Sequence, residues 1–126
     1  MNSNSMRGFT LIELLVVLAI VALLSTLAMP RYFHSIDIAK ETILAENLQT
    51  TRDTIDKFYS DTGRYPESLD ELVEKKYLRA LPLDPIAESV TGWIIIAPAP
   101  GDKGKVADLK SSAPGITHTG VPYAQL

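Results

Sequence analysis

The sequence predicts an α+β chain: one long N-terminal helix, membrane-spanning in its first half, packed on a small antiparallel β hairpin with a short second helix. Three observations carry that reading. Residues 14–29 hold no charged side chain, and only Ser25 and Thr26 among them are polar. Apolar residues between Ile36 and Phe58 recur at helical spacing. A continuous β-prone run, Trp93-Ile94-Ile95-Ile96, is followed by Pro98 and Pro100, which stop it.

The first element is the apolar segment. Phe9 to Met29, taken as a helix, spans roughly 31 Å at 1.5 Å per residue, a match to the ~30 Å bilayer core. Glu13 sits near its front. A lone carboxylate in such a segment costs about 2.5–3.5 kcal/mol on insertion scales and is usually functional, so Glu13 asks for a partner. Cleavage after Gly8 would create one: a free amine on Phe9, one helical turn before the carboxylate. An ordinary secretory signal ending at Thr26-Leu27-Ala28 is the first alternative. Its apolar region would run about 7–15 residues after a positive start, whereas this one is longer and carries Glu13. A plain membrane anchor is the second. Arg7 before the segment and Arg31 after it leave the positive-inside argument nearly balanced.

Pro30 ends the apolar run and predicts a kink or local melting, since proline removes a helix hydrogen bond and clashes with the preceding turn. The helix is expected to resume. Ile36, Ile43, Leu44, Leu48, Ile55 and Phe58 share one face. Asp37, Lys40, Glu41, Glu46, Arg52, Asp53 and Lys57 mostly take the others as a solvated surface, with Asp53 and Lys57 at a favourable i,i+4 spacing. One long helix from about Phe9 to about Ser60 results. Asp61-Thr62-Gly63 closes it, with Gly63 suited to the left-handed position after a C-terminus.

Arg64-Tyr65-Pro66 reads as an extended connector, because the residue before proline avoids the helical region. Ser68-Leu69-Asp70-Glu71 fits a capping box and opens a short helix to about Lys76, with Leu69, Leu72 and Val73 buried. Leu81-Pro82-Leu83-Asp84-Pro85 is loop. Trp93–Ile96 is expected as a buried strand, Gly101-Asp102-Lys103-Gly104 as a turn, and Lys105–Lys110 as a half-exposed strand by its alternation. Two strands alone are marginal, so the long helix must cover their apolar face. Ser111–Leu126 gives no periodic signal. No internal repeat or low-complexity tract is evident.

The chain of 126 residues has net charge −3, with 12 Lys and Arg against 15 Asp and Glu. Removing residues 1–8 takes away one Arg and leaves −4. That balance argues against a broad basic face for nucleic acid. With no cysteine, neither a disulfide framework nor a thiolate metal site is possible. No catalytic or metal-ligating set stands out, and no phosphate loop, zinc motif or nucleophile elbow is present. His34 and His118 lie far apart. His34 suits an interfacial or subunit contact, His118 an exposed tail. Asp84 before Pro85 is turn chemistry rather than an acid catalyst, and Trp93 and Tyr123 suit core or subunit contacts.

Gly8-Phe9-Thr10-Leu11-Ile12-Glu13 resembles the class III signal of the type IV pilin superfamily, with the likeness dense from Arg7 to Tyr32. Family proteins are cut after the glycine and N-methylated on the new first residue, which implies processing at Gly8 and Phe9 and an assembly role for Glu13 with the Phe9 amine. The resemblance implies a pilin-like fold, residues 1–8 as leader, 9–29 as transmembrane and assembly helix, and 30–126 as a periplasmic domain. Further along, Phe58-Tyr59, Gly63-Arg64-Tyr65-Pro66, Leu69, Leu72, Tyr77-Leu78, Leu81-Pro82 and Asp84-Pro85 look like the major (G-type) pseudopilin of type II secretion. That resemblance implies a single-pass inner-membrane protein, leader in the cytoplasm, that polymerises into a periplasmic pseudopilus with copies of itself and other pseudopilins. It also implies a prepilin peptidase, an inner-membrane assembly platform and no enzymatic activity. G-type subunits typically carry a calcium loop near the C-terminus, dense in Asp and Gly. Here only Asp102 and Asp108 stand there, among prolines and lysines, so no cofactor is expected, although calcium stays a possible ligand. The alternatives are a type IV pilin, major or minor, and a membrane-anchored periplasmic binding module. Absence of cysteine counts against typical type IVa pilins, which usually close a C-terminal disulfide loop.

Overall fold

The computed structural model describes Gly8 and residues 10–126. Residues 1–7 and Phe9, and with them most of the expected leader, lie outside the described residues. In chain order the elements are α1 (Leu11–Thr62), α2 (Leu69–Glu74), β1 (Ile94–Ile96), β2 (Asp108–Lys110) and a 3-10 turn at Tyr123–Gln125. The fold is α+β, as the sequence predicts. Two compact units divide the chain, one ending at Ile36 and one running Asp37–Leu126.

In the first unit, α1 begins at Leu11, and Pro30 lies inside it. Helical geometry persists through Pro30, so no local melting occurs there.

The C-terminal unit is built on a stripe of α1. Its buried residues are Glu41, Leu44, Leu48, Thr51, Ile55 and Phe58, at alternating steps of three and four that hold one face. Leu44, Leu48, Ile55 and Phe58 match the predicted face, whereas Ile43 is exposed. Glu41 and Thr51 fill the remaining places, so Glu41 is not part of a solvated surface. Thr51 turns its hydroxyl back to the Asn47 carbonyl at 2.7 Å, which removes the cost of burying it. Asp53 accepts from Gln49 Nε2 at 2.9 Å rather than pairing with Lys57. Leu69, Leu72, Trp93, Val106 and Leu109 complete the core. Each fully buried Leu, Ile or Phe contributes about 1.5–3 kcal/mol.

The ends of the helices follow their local chemistry. Gly63 adopts φ +75° and its N–H reaches the Tyr59 carbonyl at 2.8 Å, the left-handed stop its sequence predicts. Ser68 caps α2 by accepting from the Glu71 N–H at 3.2 Å. The reciprocal half of the capping box is redirected. Glu71 Oε1 accepts from the Glu67 N–H at 3.0 Å, while Arg64 donates to both Glu71 oxygens, at 2.8 and 3.0 Å. α2 ends at Glu74, short of Lys76, because Lys76 turns left-handed at φ +64°.

β1 and β2 pair antiparallel, with Ile94 opposite Lys110, Ile95 opposite Leu109 and Ile96 opposite Asp108. Trp93 is buried and donates Nε1–H to the Pro82 carbonyl at 2.9 Å. Ile94, Ile95 and Ile96 are exposed, against the expectation of a buried strand. Two strands provide only one covered side, and the core takes it through Leu109 of β2.

The link between the strands is sewn to the Arg64-Tyr65-Pro66 connector. Tyr65 N–H donates to the Lys103 carbonyl at 2.9 Å, and the Lys105 and Val106 amides donate to the Pro66 carbonyl at 3.1 and 3.0 Å. Gly104 makes this approach possible. It sits at φ +101°, and a Cβ there would lie 2.1 Å from the Tyr65 carbonyl oxygen and 2.6 Å from its carbon. Gly104→Ala therefore costs about 2–4 kcal/mol through backbone strain and overpacking. Gly101→Ala is the control. It also has a positive φ, but nothing lies within 4 Å, so it costs about 1–2 kcal/mol. Thermal unfolding of the two detergent-solubilised variants by circular dichroism checks the order.

Arg64's hydrogen bonds, and then the Glu67 amide, lower the Glu71 carboxyl from its ordinary 4.5 to about 2. A carboxyl whose folded-state pKa is depressed contributes stability above its unfolded pKa and loses it as pH falls toward the folded one. The contribution is thus complete above about pH 4.5 and lost between there and about pH 2. Arg64→Ala should flatten that acid limb in a titration of unfolding midpoint against pH.

Candidate functional site

Thr10 and Glu13 begin the N-terminal site. Thr10 Oγ1 accepts from the Glu13 N–H at 3.1 Å, and the Thr10 carbonyl accepts from Leu14 N–H at 3.0 Å. Thr10 thus caps α1, a role the sequence reading missed although Thr10-Leu11-Ile12-Glu13 has the spacing of a capping box. The cap fixes Glu13 in the first turn, where the helix dipole favours a negative charge. Glu13 is exposed, and among the described residues no side chain bonds its carboxylate. Phe9, the predicted partner, lies outside the described residues. Around Gly8, nothing among the described residues lies within 4 Å of an added Cβ.

Every residue from Thr10 to Ser35 is exposed, and α1 is long and apolar enough at this end to cross a membrane. The two hydroxyls of the apolar run are satisfied within the helix. Ser25 donates to the Val21 carbonyl at 2.8 Å and Thr26 to the Leu23 carbonyl at 2.7 Å, so they add no polar demand in hydrocarbon. His34 is exposed, beside the edge-to-face pair Tyr32 and Phe33.

A second polar constellation lies in the C-terminal unit. Buried Glu41 accepts from the His118 N–H at 2.9 Å and the Tyr123 hydroxyl at 3.1 Å, and its second oxygen meets His118 Nδ1. His118's side-chain hydrogen bond is the largest influence holding the Glu41 carboxyl below its ordinary value, against the opposing effect of burial. Burial and the Glu41 carboxylate raise the Tyr123 hydroxyl. His118 is exposed, as expected, and is also tied to α1 through Glu41. Arg52, about three turns further along α1, donates to Asp108, to the Leu109 carbonyl and to the Leu126 main-chain oxygen. Neither cluster is legible locally, because its partners lie more than fifty residues apart. Asp84 does turn chemistry: Oδ1 accepts the Ile86 and Ala87 amides, both at 2.9 Å, and Oδ2 accepts the Ser111 hydroxyl. Among the described residues no three His, Asp or Glu converge as a metal site would require.

The family described as "Prokaryotic N-terminal methylation motif" matches residues 3–29. Similarity to curated proteins continues well beyond that motif. The chain is 27% identical to type II secretion system core protein G of Klebsiella michiganensis, over 94% of this chain and 92% of that protein. It is 31% identical to core protein G of Xanthomonas campestris pv. campestris, over 82% of this chain and 76% of that one. A type IV major pilin, PilA of Myxococcus xanthus, is 33% identical over 52% of this chain and 30% of its own length. No solved structure matches the chain significantly. The chain belongs to the type II secretion system core protein G family.

Proposed function

We infer that this protein is a structural subunit, of the major pseudopilin type, of a periplasmic pseudopilus that drives type II protein secretion. The observation that carries the reading is similarity to core protein G that continues past the methylation motif through the C-terminal unit. The type IV pilin reading comes second, because similarity to the pilin is confined to about half of this chain. Neighbouring genes separate the two: secretin and other secretion components against a retraction motor.

The subunit is anchored in the inner membrane by its apolar helix before assembly. In this reading, residues 1–8 are a cytoplasmic leader, residues 9–29 the transmembrane and assembly helix, and residues 30–126 the periplasmic domain. A prepilin peptidase cuts after Gly8 and the new N-terminus, Phe9, is methylated. The match of residues 3–29 to the methylation-motif family supports this. Subunits then leave the bilayer at an inner-membrane assembly platform and join a polymer of their own kind with other pseudopilins. Its role is mechanical rather than enzymatic. Head-to-tail interfaces that do not close into rings give such open helical filaments.

Within the polymer, exposed Glu13 pairs with the Phe9 amine of a neighbour. In a medium of low dielectric, removing one partner of a buried ion pair costs about 3–5 kcal/mol. A register that leaves the amine or the carboxylate unpaired is disfavoured accordingly. Thr10 holds Glu13 in the first turn for this contact.

Intact mass and N-terminal analysis of protein from its host's membranes test the reading. N-methylated Phe9 is the expected result. A start at Met29 would mean a cleaved secretory signal, and an intact Met1 a plain anchor or a host without the peptidase. Glu13→Ala should still insert into the membrane yet yield about one-tenth or less of the wild-type filament, as the lost pair implies. Cross-linking of membrane and sheared-filament fractions measures both, and normal filament yield from the variant would overturn the pairing.

A further inference from the structure

The resemblance to G-type subunits implies a calcium loop, and this chain's residues do not fit one. Calcium takes about six to eight oxygen ligands. Asp84 has both oxygens engaged, by two amides and by Ser111. Asp108 Oδ1 is taken by Arg52 Nε and the Leu109 N–H. Asp102 is exposed in a turn followed by Lys103 and Lys105, which oppose a cation there. Glu41 is occupied by His118 and Tyr123.

The oxygens of the C-terminal segment nevertheless converge on a positive charge, and that charge is a side chain. Arg52 Nε donates to Asp108 Oδ1 at 2.8 Å, and Nη2 donates to the Leu109 carbonyl at 3.0 Å and to the Leu126 main-chain oxygen at 2.8 Å. One carboxylate and two main-chain oxygens, from β2 and from the far end of the segment, thus meet one guanidinium. Its planar fork can serve several acceptors at fixed angles. Further back on α1, Glu41 binds the turn between them through His118 and Tyr123. Tyr123 and Leu126 also pack against the core.

We propose that the Arg52 guanidinium is the built-in cation of the C-terminal segment and, with Glu41 as its acidic counterpart, closes residues 108–126 onto α1 without calcium. The segment is short of regular structure, with β2 and one 3-10 turn as its named elements. Charged hydrogen bonds, stronger than neutral ones, add to the core contacts of Leu109, Tyr123 and Leu126 in holding it. This inference rests on contacts within residues 37–126 and is independent of the filament reading.

Hydrogen–deuterium exchange of the full chain in detergent tests it, with calcium chloride in one buffer and EGTA in the other. Wild-type peptides covering residues 108–126 should exchange at the same rate in both. Arg52→Ala should speed their exchange roughly tenfold in either buffer, while peptides from Leu69–Glu74 stay protected, because opening is local. Glu41→Gln should act in the same direction on peptides covering His118 and Tyr123. Arg52→Lys keeps the charge without the fork and should fall between Arg52→Ala and wild type, which keeps the test open if the alanine variant does not fold. Faster exchange of wild-type residues 108–126 in EGTA would overturn the proposal. So would wild-type protection of that segment in both Arg52 variants. The readout is the same whether or not the protein polymerises.

Discussion

A sheet of two three-residue strands buries too little to stand alone, so the C-terminal unit depends on one stripe of α1. Leu44, Leu48, Ile55 and Phe58 supply the apolar wall. Leu109 and Val106 come from the hairpin side, Leu69 and Leu72 from α2, and Trp93 from just before β1. The helix itself needs that cover, because helices gain most of their stability from packing an amphipathic face. Neither partner is a finished structure without the other.

That constraint explains why so much of the unit is loop, and why the loops are ordered. With no cysteine to staple them, long-range polar contacts do the fastening. The connector after α1 holds the 97–107 link through three amide–carbonyl bonds. Asp84 binds its own loop and Ser111 after β2. Arg52 and Glu41 fasten the last residues. Each such bond is modest alone, about 0.5–1.5 kcal/mol for neutral pairs, but most of them close a loop between distant positions. The helix therefore serves as both hydrophobic wall and polar docking rail.

What was legible in the sequence is what local chemistry controls. Gly63 stops α1 because its left-handed φ is cheap only for glycine. Ser68 caps α2 because its hydroxyl meets the amide three residues on. The 3-4 spacing exposes the buried stripe even though Ile43 breaks from it. Glu41 and Thr51 were not legible, since a polar residue on an apolar face reads as surface until its partner is known. Glu41's partners lie 77 and 82 residues away. Ile94–Ile96 misleads for the opposite reason. Their type favours a buried strand, but a two-layer unit of this size has no third layer to cover them. At the N-terminus, Gly8 and Glu13 were read from motif and hydropathy. Thr10 was passed over because its role is a backbone contact rather than a charge.

The two carboxylates of α1, Glu13 and Glu41, separate what the fold completes from what it leaves open. Both lie among apolar residues, where a bare carboxylate is expensive. Glu41 is answered within the chain by an amide, an imidazole and a phenol, and its charge becomes part of the domain's closure. Glu13 is exposed on a helix whose every neighbouring side chain from Thr10 to Ser35 is exposed too. Water can meet that demand, but hydrocarbon cannot. A segment long and apolar enough to cross a membrane thus carries one acid at its capped end with no side-chain partner among the described residues. The same physical rule, that a desolvated charge must be paired, ties Glu41 into the fold and underlies the assembly role proposed for Glu13.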